Sequence, residues 1–233
     1  HTIKTNRYYL NDRNTKIHNS EKFIYKILMK IYKKLGRKNC TIMTWNRDKI
    51  KHIIPEDPNY TNNLDTSLWF NNLKKIRKRI SKCVLHIDLH GMRNITSKNN
   101  IELGVKALRI SNSKLYKKIK PVIIEEFDKL NIKYSLHGKF QGSGEGLRHR
   151  TVTDKGILLG FNSIQLELQK YIRKKLLNNN IFFEKFISAL KNIHKELVPI
   201  CKLKTNIKKR TRRYSRKNKT KKMKRKTRKR KRK

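Results

Sequence analysis

The stretch VLHIDLHGMRN, residues 84–94, carries the most informative pattern in this chain of 233 residues. Its polar residues His86, Asp88 and His90 alternate with leucine and isoleucine, which is the period of a β-strand, so they share one face. A solvated strand face in a chain this rich in lysine would be expected to carry lysine, and this face carries none. Imidazole nitrogens and carboxylate oxygens are common zinc ligands. The pattern therefore indicates either a metal site or a buried strand whose histidines are satisfied by hydrogen bonds.

Two roles are open to the aspartate in this pattern. Asp88 could bind a metal ion together with His90, or it could hydrogen bond to that histidine and fix its tautomer. The alternation of residues along one strand does not separate the two roles, because both need only that the side chains share a face.

The rest of the chain alternates amphipathic helices with short apolar strands. The spacing predicts helices over 20–36, 66–81, 112–130 and 180–197, and strands over 40–45, 83–89, 132–136 and 161–169. Ser20 and Gly36 are the expected ends of the first helix, and Pro121 is expected to kink or start the third. Loops are expected over 52–63 and 138–150. This order predicts an α/β fold with a mostly parallel or mixed sheet.

Functional sites in such sheets form at the carboxyl ends of strands. We therefore expect a site at His90 and Gly91, just after the strand 83–89. The strand 161–169 places another ionisable residue, Glu167, among leucines, where an acid is disfavoured. In a partly dry pocket this carboxylate would serve as a general acid or base, whereas on an edge strand it would simply be solvated.

Lysine and arginine dominate the composition, with 62 of them against 16 acidic residues and a formal net charge of +46. No acidic residue follows Glu196, and roughly two thirds of residues 203–233 are basic. Because such a segment repels itself and buries little apolar area, we expect a disordered basic tail over 201–233 behind a folded domain over 1–200. The tail should bind nucleic acid without sequence preference or act as a nuclear localisation signal. Its one aromatic residue, Tyr214, argues against base stacking there.

The three cysteines, Cys40, Cys83 and Cys201, are widely spaced and odd in number, so neither a disulfide framework nor a zinc-binding CxxC pair is predicted. This usage fits a reducing intracellular compartment, either cytoplasmic or nuclear. No apolar run reaches the about 18 residues that a membrane span requires, and no signal peptide is recognisable. Scarce alanine beside abundant lysine, asparagine and isoleucine is typical of an AT-rich genome such as that of a large DNA virus. A virion or virus factory is therefore a further candidate location.

Several segments, taken in order, resemble the N-formylglutamate amidohydrolase family, which is related to the aspartoacylases and zinc carboxypeptidases. The matching segments are DRNT (12–15), NRDKIKHIIPEDPNY (46–60), LHIDLHG (85–91), IELG (101–104) and FNSIQLELQ (161–169). The DLH and IQLEL pieces are the specific ones. The resemblance implies a three-layer α/β/α fold with a central mixed sheet, of the phosphorylase/hydrolase-like, zinc carboxypeptidase-like type. It also implies zinc-dependent cleavage of an amide next to a carboxylate, as in N-formyl- or N-acyl-amino acids, and hence a small anionic substrate.

The resemblance also implies roles for individual residues. His90 matches the metal-binding histidine of the D-L-H motif, and His1 is the candidate for an early histidine ligand. Glu167 matches the late glutamate that activates water, and Asn59 matches the asparagine of a substrate-binding D-x-N-R motif. Lys4 stands where a glutamate ligand is usual, which leaves three candidates to complete the metal site: Asp88, His86 and Glu102.

Two further departures from the family pattern bear on activity. Tyr60 replaces the arginine of the D-x-N-R motif, so the substrate carboxylate would be bound by another arginine, with Arg93, Arg148 and Arg150 as the candidates. The family's first strand is also not seen before His1, so we expect a processed chain or a fragment. These departures favour the alternative function, a catalytically degenerate hydrolase fold that acts as a basic nucleic-acid-binding protein.

Overall fold

The computed structural model describes residues 10–11, 14–17, 23–43, 67–80, 83–94, 97–136, 138–143 and 151–201. The strands are β1 (Leu10–Asn11), β2 (Asn14–Ile17), β3 (Leu85–Met92), β4 (Ile101–Gly104), β5 (Tyr134–Ser135) and β6 (Asn162–Gln169). The helices are α1 (Ile24–Leu35), α2 (Leu68–Arg79), α3 (Lys106–Ser111), α4 (Ser113–Asp128), α5 (Val152–Leu158), α6 (Lys170–Asn178) and α7 (180–201).

Four strands form a mixed sheet in the order β3-β6-β4-β5, while β1 and β2 form a separate antiparallel pair. The strands β3 and β6 are parallel, β6 and β4 are antiparallel, and β4 and β5 are parallel. The expectation of an α/β fold with a mixed sheet is therefore confirmed.

One face of this sheet is apolar and carries the main core. Its side chains include Leu89 of β3, Leu103 of β4 and Leu166 of β6, each almost fully buried. Helices α1, α4, α6 and α7 pack their apolar residues against this face, among them Ile27, Phe127, Ile172, Leu176, Phe186 and Ile193. Each of these helices places apolar residues one turn apart, so the stripe that faces the sheet is continuous.

The opposite face of the sheet is polar and yet covered. Helix α5 lies on it: the Thr153 hydroxyl reaches Asp88, and Gly156 lies against His86 and Ser163. A second core cluster, formed by Trp69, Phe70, Leu73, Val152 and Phe161, joins α2 to α5.

Several expected elements agree with the structure. Helix α1 ends at Gly36, which has a positive φ of 73°, a backbone conformation that glycine adopts without strain. Helix α2 begins after Ser67, whose side chain caps the backbone N–H of Phe70. Helix α4 runs through Pro121, so it does not begin at that proline. The final helix extends to residue 201, somewhat beyond the predicted end.

Other expectations were wrong or fall outside the described residues. Residues 40–43 form no strand, although an apolar run predicted one over 40–45. The strand predicted over 83–89 ends only at Met92, so His90 lies inside β3 rather than after its end. Ser20, the loop over 52–63 and residues 202–233 lie outside the described residues. The basic tail predicted over 201–233 does not begin at Cys201, which is the last described residue of α7.

Two of the cysteines form a disulfide, contrary to the expectation from sequence. Cys83 lies just before β3 and Cys201 ends the described part of α7, and their Cα atoms are 5.5 Å apart. The two residues are separated by 118 positions, so the spacing of cysteines in the sequence could not predict that they pair. The argument for a reducing compartment from unpaired cysteines therefore loses its basis. Cys40 is a free, half-buried thiol.

Candidate functional site

The polar face of the sheet brings three ionisable side chains into one row. His90 of β3 is the register partner of Glu167 of β6, which in turn is the register partner of Glu102 of β4. Register partners on neighbouring strands point to the same face of a sheet. The row therefore crosses three strands with one imidazole and two carboxyl groups.

The row and the neighbouring Asp88 are buried from solvent to an unusual degree for ionisable residues. Asp88 is 0 % exposed, Glu102 2 %, and His90 and Glu167 5 % each. Acidic side chains are almost never buried this fully unless partners compensate the loss of hydration. The polar alternation seen in the sequence thus marks an interior polar layer, not a solvated strand face.

Asp88 connects the row to helix α5. One carboxylate oxygen lies 3.0 Å from Nε2 of His90, and the other accepts a hydrogen bond from the Thr153 hydroxyl at 3.1 Å. Burial raises the pKa of Asp88, but the charge and hydrogen bond of His90 oppose it and hold that pKa below the usual range. Of the two roles left open for Asp88, this arrangement favours the one in which it orients His90.

His86 lies on the same face of β3 as Asp88 and His90, but further from the row. Nδ1 of His86 lies 2.8 Å from the hydroxyl oxygen of Ser163, its register partner on β6. Burial lowers the pKa of His86 to about 4, so this ring is neutral near pH 7. A Cβ on Gly156 would collide with both side chains, so only glycine lets α5 approach this closely. His86 therefore packs beneath α5 as a neutral ring.

Each carboxylate of the row has a defined neighbour. Glu167 accepts a hydrogen bond from Nε2 of Gln165 at 2.8 Å. Glu102 accepts one from the backbone N–H of Phe140 at 2.9 Å, and its carboxylate lies directly over Gly138. These contacts orient two carboxyl groups that are cross-strand partners.

The segment 138–143 closes against the end of β4 by direct backbone contact. A Cβ on Gly104 or on Gly142 would collide with the backbone of the other residue. Gly142 also has a φ of +67°, and the backbone N–H of Lys106 donates to the carbonyl oxygen of Gln141. The described part of the loop predicted over 138–150 is thus held against the sheet beside Glu102.

The donor types of this layer suit zinc, but the described residues do not complete a ligand set. Among the residues with described positions, no group of three His, Cys, Asp or Glu side chains is arranged to hold a metal ion. His1, the expected second ligand, lies outside the described ranges. Within them, His90 is the candidate imidazole ligand, with Asp88 beside it and Glu102 on the same row.

The candidate substrate-binding residues are mostly beyond the described part of the chain. Asn59, Arg148 and Arg150 all lie outside it. Arg93 is described and exposed, directly after the end of β3.

Two buried basic residues on helices that pack against the sheet were missed by the sequence reasoning. Arg173 of α6 is buried and donates from Nη2 to the carbonyl oxygen of Met92, the last residue of β3. Lys155 of α5 is also fully buried. Their burial could not be anticipated because lysine and arginine occur throughout the sequence. The sequence does contain a signal for the start of helix α5, the capping box formed by Thr151 and Asp154.

Comparison with known proteins identifies no relative of this chain: no family model, curated protein or solved structure matches it. Among the described residues, no helix is long and apolar enough to cross a membrane.

Proposed function

We propose that the buried polar layer is the active site of a zinc-dependent amidohydrolase that cleaves an amide next to a carboxylate. The observation that carries the proposal is the pairing of His90 with Glu167 across β3 and β6. It joins the most specific pieces of the resemblance, DLH and IQLEL, in one buried row. The finer description of the fold, a three-layer zinc carboxypeptidase-like α/β/α arrangement, is part of the same proposal.

The chain's own residues supply the proton chemistry. Glu167 would take a proton from the attacking water and deliver it to the leaving nitrogen. Gln165 orients that carboxylate through its hydrogen bond. Asp88 stabilises His90 in a fixed orientation by its negative charge. When bound, zinc would polarise the amide carbonyl and lower the pKa of water.

Burial makes these groups effective. Electrostatic interactions strengthen where water is excluded, and the row beneath α5 is nearly solvent-free. The substrate carboxylate would be bound by an arginine, because the planar guanidinium matches a carboxylate with two parallel hydrogen bonds. Arg93 is the described candidate, and Arg148 and Arg150 are the others.

The test is the zinc content of the purified full chain, measured by mass spectrometry for wild type, His90→Ala and His194→Ala. His194 is a half-buried histidine of α7 and serves as the matched control. We expect near-stoichiometric zinc in wild type and His194→Ala and its loss in His90→Ala. Glu167→Gln should retain zinc but lose hydrolysis of N-formyl- and N-acetyl-amino acids. Equal zinc in all variants, or hydrolysis by Glu167→Gln at the wild-type rate, would refute the proposal.

The basic segment 203–233 supports a second, separate activity. We propose that it binds nucleic acid through phosphate contacts alone, as its charge and single aromatic residue suggest. The affinity should fall steeply as salt rises, and a salt-independent affinity would contradict this mode of binding. A chain that binds nucleic acid in this way but neither zinc nor amides would fit the degenerate-hydrolase alternative.

A further inference from the structure

The outward face of α6 combines an exposed aromatic ring with lysines and carries no acid. Tyr171 is 56 % exposed, and Lys170 and Lys174 beside it are exposed as well. Between Glu167 and Glu184 the sequence contains no acidic residue. Lys170 and Lys174 are one turn apart, as are Tyr171 and Lys175, so all four lie on the same side of the helix.

One of the charges beside this ring is held in place by a contact within the fold. The Lys175 ammonium lies 4.4 Å from the centroid of the Phe182 ring and 5.9 Å from that of Tyr171. Lys30 of α1 adds a further positive charge at the carboxyl end of α6, where it binds the carbonyl oxygens of Leu176 and Leu177. The ring of Tyr171 thus lies beside one lysine, Lys175, whose position is held by packing, and next along the helix to the exposed Lys170 and Lys174.

This face is separate from the candidate active site. The inward residues of α6, Ile172 and Leu176, pack in the core beneath the apolar face of the sheet. The row of His90 and Glu167 lies on the opposite face of that sheet. A role for the α6 surface therefore neither requires nor excludes hydrolysis.

We propose that the outward face of α6 is a binding surface for single-stranded nucleic acid, with Tyr171 as the residue on which a base stacks. An exposed aromatic ring flanked by lysines offers the two contacts that unpaired strands use, base stacking and phosphate pairing. Duplex bases are already stacked and do not offer a free face to the ring. A membrane-surface helix would need a broad apolar face, whereas this one presents a single aromatic among lysines. The surface would supply the stacking that the basic tail lacks.

The test compares two strands of equal length and charge, oligothymidylate and an abasic sugar-phosphate strand, by fluorescence anisotropy with the full chain. We expect wild type to prefer the base-bearing strand about 5- to 150-fold, the range that one stacked base provides. Tyr171→Ala should abolish that preference, and Tyr171→Phe should retain it. Ile110→Ala, which alters an exposed apolar residue of α3, is the control and should behave as wild type.

A second variant tests the lysines. Lys174→Gln should weaken binding to both strands and lower the slope of log affinity against log salt by about 1. The proposal is overturned if Tyr171→Ala keeps the preference of wild type, or if wild type has none. It is also overturned if Tyr171→Ala loses binding to anionic lipid vesicles while its affinity for oligothymidylate is unchanged. Zinc content and amide hydrolysis should be unaffected in Tyr171→Ala, so this test and that of the proposed function fail independently.

Discussion

Thr153 of α5 donates its hydroxyl hydrogen to the buried carboxylate of Asp88 in β3, across 3.1 Å and 65 positions of sequence. Both residues are 0 % exposed, so water is not available to replace this bond. The contact holds α5, which covers the polar layer, against Asp88, which orients His90. The integrity of the candidate site therefore depends on a residue outside the segment 86–90.

Replacing Thr153 by valine should destabilise the protein by about 1–3 kcal/mol, because a buried carboxylate loses a hydrogen-bond donor. Thr153→Ser keeps the hydroxyl and should lie much closer to wild type. Urea unfolding followed by circular dichroism measures both variants. Equal destabilisation by serine and valine would show that the methyl group, and not the hydroxyl, makes the contribution.

The disulfide should contribute strongly to stability. Closing a loop of this length removes much conformational entropy from the unfolded chain, so Cys83→Ser should lower the unfolding free energy by about 2–5 kcal/mol. Cys40→Ser changes only the free thiol and should have a small effect. When the measurements are repeated with reductant, the unfolding free energy of wild type should fall to that of Cys83→Ser. A reductant-insensitive wild type that still exceeds Cys83→Ser would contradict the disulfide.

Lys30 should stabilise the packing of α1 against the carboxyl end of α6. Its ammonium donates to the carbonyl oxygens of Leu176 and Leu177 and to Oδ1 of Asn180, each at 3.0 Å. Lys30→Met removes these charge-assisted bonds and should destabilise the fold by about 1–3 kcal/mol. Lys26→Met, at an exposed position of the same helix, is the matched control. Similar losses in the two variants would argue against a specific role for Lys30.

Alanine substitutions at two glycines with positive φ distinguish the stability cost of backbone strain from the cost of a steric clash. Gly36 has a φ of +73°, and no atom lies within 4 Å of the position that a Cβ would take there, whereas Gly142 has a φ of +67° and abuts the backbone of Gly104. Alanine at Gly36 should cost about 1–3 kcal/mol from the backbone conformation alone, because a φ of 73° with a ψ of 160° is essentially restricted to glycine. Alanine at Gly142 should cost about 1–3 kcal/mol more, because the backbones must separate. Thermal unfolding of both variants measures the two losses of stability. Equal losses would mean that segment 138–143 can move away from Gly104 at little cost.

Tyr134 should make stability sensitive to alkaline pH. Burial, followed by the hydrogen bond to Asp128 at 2.6 Å, raises the pKa of Tyr134 to about 12. The folded state therefore holds this proton more tightly than the unfolded chain, whose tyrosine titrates near pH 10. The resulting stabilisation is complete below about pH 10 and is lost as pH rises towards about 12. Tyr134→Phe should flatten the loss of stability in that window, and phenolate absorbance should show one fewer late-titrating tyrosine.

The candidate site could be predicted in part. His86, Asp88, His90 and Glu167 were found because alternation along a strand assigns side chains to faces without knowledge of the fold. Thr153 was not found, because a threonine becomes part of a site only when another element packs against it. The strand β4 and helices α3, α5 and α6 were also missed, since short elements carry too few residues for a clear period.

The sequence alone determined which side chains of β3 and β6 are polar and which are apolar, and which helices present apolar stripes. Periodicity is local, and so it can be worked out without a partner. Only the tertiary structure decided that Glu167 lies between His90 and Glu102, that Cys83 meets Cys201, and that the polar face is covered by α5. Those relationships join residues distant in sequence, and their positions follow from the order and direction in which the strands pair.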